Sequence, residues 1–149
     1  MTAIRGFNGR YRFLSNFYPS RIVLGFEWDN VFPTVEHAFQ ASKLINAADR
    51  EMVRRATSPS EAKRLGRTLP MRQDWDHVKV DTMYSLLRKK FQIPVLRQKL
   101  LATGDAELYE TNTWGDRFWG VDPQGIGANV LGNQLVMLRE EIKEFILNS

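Results

Sequence analysis

Two rhythms of hydrophobic and polar positions run along this chain. In residues 7–28 aromatic and aliphatic side chains mix with turn formers: Phe13, Leu14, Phe17 and Tyr18 cluster ahead of Pro19, and Ile22, Leu24 and Phe26 alternate as a short strand does. This predicts a β-rich opening. Ser15 and Asn16 set two hydrogen-bonding groups into that apolar run, for a local turn or for a ligand. From Pro33 the rhythm becomes helical. In PTVEHAFQASK, residues 33–43, Val35, Ala38, Phe39, Ser42 and then Ile45 fall on one face, while Glu36, Gln40 and Lys43 stack on another. Thr34 is the predicted cap, Pro33 disfavours an earlier start, and Glu36 falls in the first turn, where the helix dipole favours a carboxylate.

The same grammar predicts the later elements. Residues 49–56 read as a second helix, and Ser58, Pro59 and Glu61 as the cap, first position and capping-box acid of a third, with Gly66 ending it as a left-handed cap. Asp74 is expected to cap a longer helix starting near Trp75, with Val80, Met83, Tyr84, Leu87 and Phe91 as its core stripe. The Trp75 ring, at that start, belongs either in the core or at the mouth of a pocket. Pro94 separates a further helix over residues 95–102, closed by Gly104, and residues 108–111 suit a short strand. Leu131, Leu135, Leu138, Ile142 and Ile146 share the face of a last helix. The sum is mainly helical with a small β-sheet, and the absence of repeats and of an interdomain linker predicts a single domain over 1–149.

Composition narrows the chemistry. At 149 residues and 43% hydrophobic content the chain can bury a real core, and with no cysteine it has neither disulfides nor thiolate metal ligands. His37 and His77 alone make no histidine-rich metal centre. No run of apolar residues has the length of a membrane span or signal peptide, so a soluble, cytoplasmic protein is the expectation. The net charge of +4 is unevenly spread: residues 1–75 hold 12 Lys and Arg against 7 Asp and Glu, and residues 76–149 hold 9 against 10. The excess is densest among Arg50, Arg54, Arg55, Lys63, Arg64, Arg67 and Arg72, which suits a solvated helical face, a phosphate-bearing small molecule or a nucleic acid backbone.

Residues 113–135, TWGDRFWGVDPQGIGANVLGNQL, form a second unusual stretch. Trp114 and Trp119 flank Asp116, several glycines permit close turns, and GIGAN precedes the last helix, whose first amides can take an anion. It is not a dinucleotide fingerprint, because Val130 stands where the third glycine belongs. Two carboxylates from separate segments, Glu36 and Asp116, can cleave a glycosidic bond, one supporting an oxocarbenium-like transition state and the other handling protons. Gln40 and Lys43, on the face of Glu36, are candidate substrate-binding side chains. With rings to stack on a planar base and cations for a sugar phosphate, a ribosyl N-glycoside fits. Plainer readings remain open here: Glu36 as ordinary first-turn helix grammar, Asp116 as a turn residue, Trp114 and Trp119 as core.

The segments FLSNFYPS (13–20), FPTVEHAFQASK (32–43), RRATSPSEAKRLGR (54–67), MRQDWDHVK (71–79), LLATGDAELYE (100–110) and FWGVDPQGIGANVLG (118–132) resemble, in order, the motifs of the NADAR, or YbiA-like, family. That resemblance implies an N-glycosidase of helix-rich α+β fold. Its members act on early ribosylaminopyrimidine phosphates of riboflavin biosynthesis or on ADP-ribosylated guanine, free or in DNA. It implies Glu36 as catalytic, Trp75 as lining the substrate site, Asp116 as the acid before the WG pair, and Asn16, Arg67, Trp119 and Asn129 in or beside the pocket. The chain departs from the family's usual pattern at Phe32, where tryptophan is common, and over Val121 to Gln124, where a glycine-rich stretch is usual. No metal or redox cofactor is implied, since departure of a delocalised base needs charge stabilisation and water. The expected partner is the small-molecule substrate, with DNA contact open, no membrane and no obligate protein. The rival class is a non-catalytic module binding ADP-ribose or a nucleotide through the arginine cluster and the GIGAN turn.

Overall fold

The structure is a computed structural model and describes residues 2–26 and 29–149; Trp28, at the end of the opening segment, lies outside the described residues. The contacts divide into two compact units, one of residues 16–90 and the other of residues 1–15 with 91–149. Both helices and strands are present, with helix dominant, so the fold is α+β as expected.

In the unit of residues 16–90, the hairpin β1 (Ile22–Gly25) and β2 (Asp29–Phe32) pairs antiparallel, Ile22 opposite Phe32. Helix α1 (Val35–Ser42) follows, and every residue from Val35 to Ala41 is buried. A helix buried all round is a core helix, so its polar residues must find partners inside. Thr34 caps it, its hydroxyl accepting the His37 amide at 3.1 Å. Helix α2 (Ala47–Arg54) is capped by Asn46 through the Asp49 amide, so it begins earlier than the expected start at Asp49.

Helix α3 (Pro59–Thr68) has Ser58 as cap and Pro59 in the first turn, as expected. Glu61 completes the cap differently, accepting from the Thr57 amide. Gly66 does not end this helix. It lies inside α3 with ordinary helical dihedrals, and only Ala62 and Gly66 of α3 are buried, so the helix turns its smallest side chains inward. Helix α4 (Trp75–Lys90) begins where expected, but its inner stripe is Met83, Leu86, Leu87 and Lys90, while Val80 is exposed.

The other unit opens with β3 (Ala3–Arg5), which pairs parallel with β4 (Glu107–Tyr109), Ile4 opposite Leu108. Between them in sequence, Gly9–Leu14 is a 3₁₀ helix carrying the buried Phe13 and Leu14, so the opening of the chain is less β-rich than its alternation suggests. Helix α5 (Pro94–Ala102) takes Pro94 into its first turn, and Gly104 stops it with φ +66°. Helix α6 (Val130–Leu147) packs on β4, with Leu131, Leu135 and Leu138 buried. Ile146, expected on the same face, is exposed. Arg139 is buried in this unit, its guanidinium donating to the Thr103 hydroxyl and the Ala106 carbonyl. Among the described residues no helix is long and apolar enough to cross a membrane.

Candidate active site

Six of the residues singled out from the sequence fall in the unit of residues 16–90. Glu36 is 7% exposed, and the Gln40 carboxamide donates Nε2 to its Oε1 at 2.9 Å. Lys43 Nζ reaches Gln40 Oε1 at 3.4 Å. The spacing of four and three thus produces what it predicted: ammonium, amide and carboxylate in line along one side of α1. Burial pulls the Lys43 ammonium below its usual pKa, the negative Glu36 opposes that, and the positive Arg67 adds to it. Arg67, exposed on α3, therefore lies within electrostatic reach of the same line. The Asn16 carbonyl accepts the Glu36 amide at 3.1 Å, which ties the segment before β1 to the first turn of α1. The Asn16 side chain contacts Met83 Sδ at 3.5 Å through Nδ2, and its Oδ1 is buried with no hydrogen-bond partner, a group available to a donor.

Trp75 is 6% exposed and its ring lies 4.9 Å from that of Phe39, tilted by 53°. Phe39 follows Glu36 by three and precedes Lys43 by four, so the indole braces the helix between those two residues. His37, next to Glu36, lies between Thr34 Oγ1 at 2.8 Å and the Ala56 carbonyl at 3.1 Å. A carbonyl only accepts, so Nε2 carries the proton and Nδ1 accepts from the hydroxyl. Burial lowers the His37 pKa, against the raising pull of Ala56 and Glu61. Sequence reading weighed His37 only as a metal ligand; its i, i−3 relation to Thr34 is the signal for this buried clamp.

Asp116, Trp119 and Asn129 belong to the other unit. Asp116 Oδ1 accepts the amides of Phe118 at 3.1 Å and Trp119 at 2.9 Å, while its own main chain is held at both ends by the Asn112 carboxamide. The carboxylate thereby shapes the turn that presents Trp119, whose half-buried ring meets Phe118 edge-on at 4.9 Å. Asn129, at φ +53°, spends its carboxamide on β4: Nδ2 donates to the Leu108 carbonyl and Oδ1 accepts the Glu110 amide. The expected anion site at GIGAN is not formed by these amides. Those of Ala128, Asn129, Val130 and Leu131 donate to the carbonyls of Arg117, Gly120, Phe118 and Trp119.

The arginine cluster is also partly neutralised. Arg54 and Arg55 both pair with Glu51, which holds that carboxyl at about 2, and Arg72 pairs with Asp74. A cavity of about 390 Å³ lined by Phe26, Ser42, Leu44, Ile45, Arg50 and Arg72 opens where α1 ends. A larger one of about 700 Å³ lies in the other unit against β4 and α6, but Asp105, Glu107 and Glu140 line it, which suits no phosphate.

Comparison with known proteins agrees with this architecture. The NMR structure of the E. coli protein YbiA is similar, with a TM-score of 0.85 at 38% identity, covering 99% of this chain and 89% of that one. That defines the class of fold. The NADAR domain matches residues 6–143, and the chain belongs to that family. It is 39% identical over 142 residues to N-glycosidase Npun_R5314 of Nostoc punctiforme, covering 91% of this chain and 88% of that protein. It is 45% identical over 114 residues to N-glycosidase YbiA of Escherichia coli, covering 74% and 71%. It is 43% identical over 135 residues to riboflavin biosynthesis protein VVA0006 of Vibrio vulnificus, covering 89% of this chain but spanning only 36% of that longer protein.

Proposed function

We propose that this chain is an N-glycosidase that hydrolyses the bond between a phosphate-bearing ribose and a nitrogenous base. The observation that carries the reading is a carboxylate, Glu36, buried in the first turn of a core helix and held through Gln40 in line with Lys43. Membership of the NADAR family, with relatives named N-glycosidases, supports it.

In the reaction the C1′–N bond breaks with its electron pair leaving on the base, and positive charge develops on the sugar. The Glu36 carboxylate stabilises that charge at short range and takes a proton from the water that adds to C1′; the proton leaves with the base. Lys43 and Arg67 supply positive charge for the sugar phosphate, Asn16 Oδ1 accepts a hydrogen bond from the base or sugar, and Trp75 with Phe39 forms an apolar wall. In the other unit, Asp116 orients the turn carrying Trp119, and Asn129 ties the start of α6 to β4.

The test is incubation of the purified protein with early ribosylaminopyrimidine phosphates of riboflavin biosynthesis and, in parallel, with ADP-ribosylated guanine, free and in DNA. Mass spectrometry follows free base and sugar phosphate. Release of base from one series identifies the substrate; binding without release from any of them rejects catalysis in favour of a nucleotide-binding module. The pairing of Arg54 and Arg55 with Glu51 weakens the case for a polymer, so the small substrates come first. A DNA-acting protein shows affinity falling steeply with salt.

A further inference from the structure

Glycine is the poorest helix former after proline, and inside a helix it marks a place where something else needs the room. Gly66 sits within α3 without a positive φ, so no backbone conformation demands it. Space does. A Cβ built there would lie 1.9 Å from Gln40 Oε1, 2.7 Å from its Cδ and 3.2 Å from its Cβ. The carboxamide that bridges Lys43 and Glu36 occupies the volume that any side chain at this position would claim.

Resting on the N-glycosidase reading above, we propose that Gly66 is a positioning residue for Glu36: the bare face of α3 is the slot that holds the Gln40 carboxamide between ammonium and carboxylate. The orientation of that amide is set by its neighbours. A carboxylate only accepts and an ammonium only donates, so Nε2 must face Glu36 and Oε1 must face Lys43. The result is a one-way chain of donors from Lys43 through Gln40 to Glu36, each bond assisted by a formal charge at one end. The two nearest atoms in the slot belong to the far end of a flexible side chain. A methyl group at position 66 therefore displaces the amide, while the Gln40 Cβ at 3.2 Å asks for a shift of only a few tenths of an ångström. That displacement breaks both bonds and takes from Glu36, which is 7% exposed, the amide donor that Gln40 supplies.

The test compares Gly66→Ala, Gln40→Ala and the double variant with wild type in base release, thermal unfolding and the side-chain amide resonances of Gln40 in ¹H–¹⁵N NMR. Base release by wild type and its loss in Glu36→Gln settle the underlying reading first; if wild type releases no base, that reading fails, and the Gln40 resonances still decide the slot. For Gly66→Ala we expect cooperative unfolding, shifted Gln40 amide resonances and a fall in kcat of about tenfold or more with little change in KM. In the Gln40→Ala background the same substitution should cost less than about twofold, because its transmitter is already gone. The proposal is overturned if Gly66→Ala leaves the Gln40 resonances in place, or lowers kcat equally in both backgrounds. Should Gly66→Ala not fold, the double variant decides: recovery of cooperative unfolding supports the slot, and failure to recover rejects it.

Discussion

Replacing Glu36 with glutamine separates its chemical role from its structural one, because the substitution keeps shape and removes charge. Gln40 Nε2 now meets an amide oxygen in place of a carboxylate oxygen at 2.9 Å. Downgrading a charge-assisted bond costs about 1 kcal/mol, and losing a carboxylate from the first turn costs roughly 0.3–1 kcal/mol more. Against this, a group 7% exposed no longer carries a charge out of water, which returns an amount of similar size. The net change in stability is within about 1 kcal/mol, or about 2–4 °C in Tm for a chain of this length. Catalysis has no such offset. A group that moves a proton in the transition state contributes about 10²–10⁴ in rate, equivalent to roughly 3–5 kcal/mol of barrier. Base release followed by mass spectrometry, beside thermal unfolding of the same preparation, gives both quantities. Turnover above about a tenth of wild type, or a stability loss beyond about 3 kcal/mol with turnover lost only in proportion to unfolding, refutes the assignment. The substitution also removes the negative charge that opposes the fall in the Lys43 pKa, so that ammonium should titrate lower still in the variant.

Further consequences can be checked separately. Trp75→Ala removes a ring 6% exposed and packed at a tilt against Phe39, and should cost about 3–5 kcal/mol in denaturant unfolding, with Trp75→Phe losing much less. Burial lowers the His37 pKa below the value near 6.5 at which the unfolded chain protonates, so the unfolded state binds more protons around that pH. Stability should therefore fall as pH drops from 7.5 to 5.5, with a flatter profile in His37→Gln. Lys90 is wholly buried and its ammonium is pushed down to about 7 from 10.5 by desolvation. Between those values the unfolded chain holds the extra proton, so this group's contribution rises with pH by an amount with an upper bound on the order of 5 kcal/mol. Unfolding midpoints at pH 7 and 9.5 should diverge upward in wild type and not in Lys90→Met, which should be the more stable of the two at pH 7.

Local grammar carried much of the fold. Thr34 announced α1, Ser58 with Pro59 announced α3, and Pro94 with Gly104 bracketed α5, because a cap needs only side chains and amides a few residues apart. The same locality made the line of Glu36, Gln40 and Lys43 readable, since helix pitch alone sets it. What escaped depends on partners distant in sequence. Gly66 reads as a stop until Gln40 of another helix is seen to need its space. The amides before α6 read as free until the carbonyls of residues 117–120 arrive to take them. Val80 obeys the helical period of α4 and is still exposed, because period says which residues share a face and not how far the neighbouring layer extends. The arginine cluster was visible as charge, but one glutamate set beneath two of its members changes what that charge can hold.

The division of the chain has a temporal side. Residues 16–90 are one uninterrupted stretch, whereas the other unit must gather its first fifteen residues with everything after Lys90. On a ribosome, the helix bearing Glu36 and all its neighbours in that unit have left the tunnel while α6 is still unmade. β3 waits longest: synthesised first, it has no strand to pair with until Glu107–Tyr109 emerges about a hundred residues later.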